Sequence, residues 1–279
     1  MTATSMEMVK EPKEPGSGRV AGGLRRVVPP LIFAVIVLVI WELYCRIANV
    51  REATLPAPTK IASALWTERS LLLSNSWVTL KEIAIGYTAA VIIGVGLGAV
   101  VATSRTAERM ISPWLVISQM VPIPAIAPLI VIWTGFDIRP KVIVIALVSF
   151  FPIAVNTIDG LKATEPEMIN LLKTLGAGRR RQFRMAKLPA AMPFIFAGLK
   201  IAAAFSVIGA VFAEWVGASS GLGYLILTLN NQTATTEMFA AIVVLALIGI
   251  ILFALVGLVE RLALPWYHES RRDGADGGS

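Results

Sequence analysis

Ionisable side chains are scarce in the apolar parts of this sequence, so the few that occur there carry what chemistry it has. Glu214 stands inside the apolar run 194–216, beside Trp215, and Lys200 is the cation of the same run. A carboxylate within a membrane-length apolar run marks a solute or ion path by default, because lipid cannot solvate it. A second reading puts Glu214 near the outer end of the run, where it reaches water, and lets Lys200 snorkel to the opposite interface. Elsewhere the inventory is thin. No Ser/His/Asp set or carboxylate pair suggests catalysis, and a single Cys45 and a single His268 exclude a disulfide framework or a Cys/His metal site. No Gly-x-x-x-x-Gly-Lys-Ser/Thr is present, so the chain does not itself cradle ATP phosphates. No catalytic residue, bound metal or resident cofactor is expected.

The other informative stretch is 164–193, the longest basic interruption between apolar runs. Thr164 and Glu167 have capping-box spacing, and Pro166 falls in the first turn, where a missing N–H costs little. Met168, Leu171, Leu172 and Leu175 follow the i, i+3, i+4, i+7 pattern of one helix face. Gly176 is placed for a left-handed cap. A second short basic helix is expected over 179–187, because Pro189 disfavours helical geometry at Leu188. Two readings fit: a helix-in-groove ligand for a partner protein, or an interfacial helix whose Arg179, Arg180, Arg181 and Arg184 meet anionic head groups.

The elements that position these residues are membrane spans. The 279 residues are 56% hydrophobic and 15% charged, against about 25% charged in soluble domains. The expected class is an all-α integral membrane protein. Six apolar runs are read as transmembrane helices, near 27–44, 79–103, 114–134, 142–158, 194–216 and 238–262, within a membrane domain of 27–264. Residues 1–26 read as a disordered tail and 265–279 as a short polar one. Lys60 to Leu73 could form an amphipathic helix on the membrane, with Trp66 and Trp77 at the interface. Gly94 and Gly98 have the small-xxx-small spacing of close helix packing. Pro122, Pro124 and Pro128 prevent the third run from being a straight helix, and carbonyls they free become candidates for lining a pathway. Gly221 and Gly223 permit a turn into a short gating segment.

The net charge of +7 sits between the apolar runs, which speaks for topology rather than for nucleic acid. Six spans place both termini on one side, and 17 of the 25 Lys and Arg lie there against 7 opposite. The positive-inside rule therefore places both tails and the 160–192 loop in the cytoplasm.

At that loop the chain resembles the permease subunits of bacterial ABC importers. Their cytoplasmic signature is Glu-Ala-Ala, three residues, Gly, nine residues, then Ile-x-Leu-Pro. Here Asn170-Leu171-Leu172, Gly176 and Ala186-Lys187-Leu188-Pro189 align with it; the glycine and Leu-Pro match, whereas the acidic residue and the Ile do not. The segment 122–136, Ala213-Glu214 with Gly221-Leu222-Gly223-Tyr224, and Leu55-Pro-Ala-Pro58 extend the resemblance over 30–267. They point to the branch importing sulfonates, nitrate, taurine, thiamin precursors or riboflavin-like compounds.

The resemblance implies a coupling-helix loop between spans four and five that docks on a separate ATPase. Its residues here would be Glu167, Asn170, Leu171, Leu172, Gly176, Ala177, Arg179, Leu188 and Pro189. Pro122, Pro124, Pro128, Glu214, Gly221 and Gly223 would be the pathway candidates. It also implies ATP and Mg on the ATPase subunits, an extracytoplasmic solute-binding protein, a second permease copy, and residence in the bacterial cytoplasmic membrane. An ion-coupled secondary transporter is the rival; it requires midplane acids and an internal repeat.

Overall fold

The computed structural model describes residues 18–267, with side chains from Val28 onward. The tails expected at 1–26 and 265–279 lie largely outside these residues. Every regular element described is helical. The chain divides into two units, Met1–Thr59 and Lys60–Ser279.

The first unit contains α1 (Gly18–Ile47), which is apolar around its whole circumference from Leu31 to Ile40, the pattern of a span surrounded by lipid. Its backbone is already helical at Gly18, inside the stretch expected to be a tail. Asn49, at φ 46°, turns the chain after α1. The carboxylate of Glu42 accepts hydrogen bonds from the Thr59 N–H (3.1 Å) and hydroxyl (2.9 Å) and from Arg46 (2.6 Å), fastening the start of α2 (Pro58–Thr67). The amphipathic helix expected from Lys60 to Leu73 therefore ends early. α3 (Arg69–Thr103) begins there and runs 35 residues, so the second span starts well before the expected residue 79.

Three long helices form the centre of the second unit: α3, α6 (Arg139–Lys162) and α9 (Leu188–Gly217). Lipid tails are as apolar as leucine, so close approach rather than the hydrophobic effect drives such helices together. The glycines make that approach possible. A Cβ on Gly94 would lie 2.8 Å from Ile153 Cβ, and one on Gly98 2.6 Å from Thr157 Cβ, both on α6. Gly160 and Gly198 do the same between α6 and α9, while Gly96 faces open space. Layers of Ile83, Ile145, Val207 and Ala210, and of Ala90, Ile153 and Ala202, fill the seams.

The third apolar run is broken, as its prolines require. It is two helices, α4 (Arg105–Met120) and α5 (Ile123–Thr134), set at 100°. Val121 is extended at ψ 119° because it precedes Pro122, and Pro122 is itself extended at ψ 121°. Two extended residues in succession interrupt the helix, and Pro124 then sits in the first turn of α5, where it does no harm. Among the described residues, five helices are long and apolar enough to cross a bilayer, and the bent pair adds a sixth if counted together.

After α6 come α7 (Pro166–Thr174) and α8 (Arg179–Gln182). A π-helical turn, Phe183–Lys187, joins α8 directly to α9. The expected break at Leu188 is absent. The wider turn carries the helix past Pro189, which stands at the start of α9 with no N–H to strand. Residues 179–217 are thus one continuous rod. α10 (Leu222–Asn231) and α11 (Thr235–Ala263) complete the unit.

Candidate functional site

The 164–189 loop has its own small core. α7 closes in a Schellman arrangement: the Ala177 N–H donates to Leu172 O and the Gly176 N–H to Lys173 O, each at 2.9 Å, with Gly176 at φ 73°. Leu172, Ala177 and Ala186 are buried together, with Ile169 beside them. Gln182 Nε2 donates to Ala177 O at 2.7 Å, tying the basic turn to α7. The expected apolar stripe consequently divides. Leu172 is 9% exposed and faces the loop's core, whereas Leu171 is 55%, Met168 48% and Leu175 70% exposed.

Of the docking candidates, Glu167, Asn170, Leu171, Gly176 and Arg179 stand on the free surface, Leu172 and Ala177 are internal, and Leu188 and Pro189 belong to the root of α9. The expected capping box does not form. Pro166 occupies the first helical position and holds Glu165 extended as the N-cap, which moves Thr164 one residue out of register with Glu167. Thr164 Oγ1 is left buried without a partner.

Glu214 does not reach water. It is 1% exposed and accepts the Thr79 hydroxyl at 2.7 Å, the Gly223 N–H at 2.5 Å and the Tyr224 N–H at 3.2 Å. The Leu222 N–H donates to Thr79 Oγ1 and the Gly221 N–H to Asn75 Oδ1, each at 2.8 Å. Side chains of α3 and α9 therefore satisfy the four leading N–H groups of α10, which its own helix leaves unpaired, and the carboxylate sits at the positive end of the helix dipole. Gly221 (φ 116°) and Gly223 are required here, because a Cβ on either would strike the Glu214 carboxylate.

Beside Glu214 lies the carboxylate of Glu82, 2% exposed in side chain, paired with Lys141 Nζ at 3.0 Å. Sequence reasoning missed this pair and the roles of Asn75 and Thr79. The signal was available, since Glu82 falls inside the second apolar run. Lys200 does not snorkel free; its Nζ meets Glu260 Oε2 at 2.7 Å, joining α9 to α11.

The proline elbow borders a cavity of about 420 Å³ between α4, α5, α6 and α9. Ser118, Gln119 and Asn156 supply its polar lining, and Phe151 and Phe205 its aromatic faces. No charged residue lines it. Neither Pro122, Pro124 and Pro128 nor Glu214, Gly221 and Gly223 are in its wall: Pro122 shapes the elbow, Pro124 and Pro128 lie within α5, and the other three build the turn into α10.

Residues 90–264 match the family described as binding-protein-dependent transport system inner membrane component. The chain is 37% identical over 238 residues to the formylaminopyrimidine transport permease protein ThiX of Halalkalibacterium halodurans, covering 85% of this chain and 95% of that one. It is 35% identical to the riboflavin transport system permease protein RibX of Chloroflexus aurantiacus, covering 83% and 87%. Its fold is like that of a chain in an inward-facing structure of the MetNI methionine ABC transporter, with a TM-score of 0.62 at 18% identity over 70% of this chain and 97% of that one.

Proposed function

This chain belongs to the binding-protein-dependent family of ABC transporter permeases, and we propose that the 164–189 loop is the joint through which a separate ATPase drives it. It is a membrane transport subunit rather than an enzyme, and the rival expectation of an ion-coupled secondary transporter gives way to that membership. The observation that carries the proposal is the divided stripe on α7. Met168, Leu171 and Leu175 are exposed on a helix end capped by Gly176 and backed by its own core, with Arg179 alongside. A rigid, amphipathic helix presented in this way suits a groove on a partner.

In this reading the loop and both termini are cytoplasmic, in keeping with the charge bias. Two copies of the chain face one another, each bound to one ATPase that holds ATP and Mg, and an extracytoplasmic protein delivers the solute. The ATPases bind the two loops differently when closed around ATP and when open, and only that difference in docking energy can bias the pathway. Continuity of 179–217 supports transmission, because movement at Arg179 is carried by an unbroken rod to Glu214 and the turn into α10.

The solute is a small organic molecule or anion. The neutral cavity at the elbow offers ring faces for stacking and amide groups for hydrogen bonding, which suits a planar nitrogen heterocycle such as the pyrimidine and flavin named for two relatives.

The test is co-purification of the chain with its ATPase. Leu171→Asp should weaken the complex by one to two orders of magnitude while the permease still elutes as a folded species; an undiminished complex would overturn the docking assignment. Calorimetry on the partnering solute-binding protein identifies the solute.

A further inference from the structure

A second cavity, of about 280 Å³, lies behind α7, against the ends of α3 and α6. Lys162, Lys173 and Lys187 line it, and no carboxylate-bearing residue is in its wall. Lys162 is compensated by Glu108, at 2.6 Å. Lys173 and Lys187 have no ion-pair partner among the described residues. Thr164, displaced from its capping position by Pro166, lines the same space, and its hydroxyl oxygen is buried without a hydrogen-bond partner. Asn170 adds an amide.

The lining of this cavity is cationic, and a buried hydroxyl left unpaired is rare in folded proteins. Ammonium, hydroxyl and amide groups can all donate, and no group in the wall is acceptor-only. An oxyanion with several oxygens and about two charges satisfies them together.

We propose that this cavity binds a phosphoryl group, presented by an anionic phospholipid or by a free phosphate ester. The volume leaves room beyond the phosphoryl oxygens for the adjoining part of either molecule. The ligand bridges α7, through Asn170 and Lys173, to the end of α6, through Lys162, to the link between them, through Thr164, and to the π-helical turn, through Lys187. It braces the loop from behind while Leu171 and Arg179 stay free. Its importance for transport rests on the docking reading above, but the binding itself does not.

The full chain, purified in detergent and stripped of lipid, is titrated with sodium phosphate against sodium chloride at equal ionic strength, following the unfolding midpoint. In parallel, native mass spectrometry counts lipid retained from nanodiscs of phosphatidylglycerol or of phosphatidylcholine. Phosphate should raise the midpoint, or phosphatidylglycerol should be retained selectively; the first result identifies a free ester as the source and the second a lipid. Either response should weaken by about tenfold or more in Lys173→Gln/Lys187→Gln. It should persist in Arg180→Gln/Arg184→Gln, which removes as much charge from the same loop. Thr164→Val, nearly isosteric, should weaken it without changing charge, and serves if the lysine variant misfolds.

No response to either probe, or equal loss in both double variants, overturns the site. ATPase co-purification separates this from the docking reading: Lys173→Gln/Lys187→Gln should keep the ATPase, and Leu171→Asp should keep the anion response.

Discussion

Glu214 of α9 accepts the backbone N–H of Gly223, nine residues further along, at 2.5 Å, and so caps α10 from outside that helix. Glu42 of α1 does the same for Thr59 at the start of α2. In both units a carboxylate near the end of a long apolar helix secures the short helix that follows. An acid in a span here serves as a fastening.

Replacing that fastening should loosen α10 before anything else. Glu214→Ala leaves two N–H groups and the Thr79 hydroxyl short of an acceptor, at about 1–3 kcal/mol for each group left unsatisfied. Hydrogen exchange over 221–231 should accelerate by orders of magnitude while exchange in α6 changes little. Protection unchanged in α10 would refute the capping role.

The Glu82–Lys141 pair yields a prediction that depends on removing one partner or both. Glu82→Ala strands a buried ammonium and should cost about 3–5 kcal/mol, whereas Glu82→Met/Lys141→Met should lie near the parent. Thermal unfolding in detergent of Glu82→Met, Lys141→Met and the double measures the coupling directly.

Gly94 and Gly96 are two residues apart and face different surroundings. Gly94→Val drives a side chain against Ile153 and the Phe150 carbonyl and should abolish folded protein in the membrane. A Cβ at Gly96 meets no atom within 4 Å, and Gly96→Val should accumulate normally. Size-exclusion yield after extraction distinguishes them.

Leu171 and Leu172 are adjacent yet 100° apart around α7. Leu171→Asp should leave the unfolding midpoint within about 0.5 kcal/mol of the parent, as exposed substitutions do, and weaken ATPase binding by one to two orders of magnitude, the worth of one buried leucine. Leu172→Asp should melt the loop instead, read as faster proteolysis between Thr164 and Lys187.

The character of the chain was legible because composition and periodicity are local. Runs of lipid-compatible length, the Gly176 cap, the Gly94/Gly98 spacing and the interruption by Pro122 each follow from neighbouring residues, and the loop's signature placed its family. Errors arose where one residue decided a register or where a partner lay far away in sequence. Pro166 moved the N-cap from Thr164 to Glu165, and a π-helical turn let Pro189 pass without a break. Nothing local to Glu214 announces Thr79, 135 residues distant.

By itself, then, the sequence determined a membrane-embedded helical permease with a basic amphipathic loop, because apolar run length and charge placement answer to the bilayer. Only the tertiary structure decided which side of α7 is free, that Glu82 and Lys141 meet, and that Glu214 caps α10. Those facts depend on which helices approach within hydrogen-bond distance, and approach is governed by glycines and prolines acting on segments far from their own.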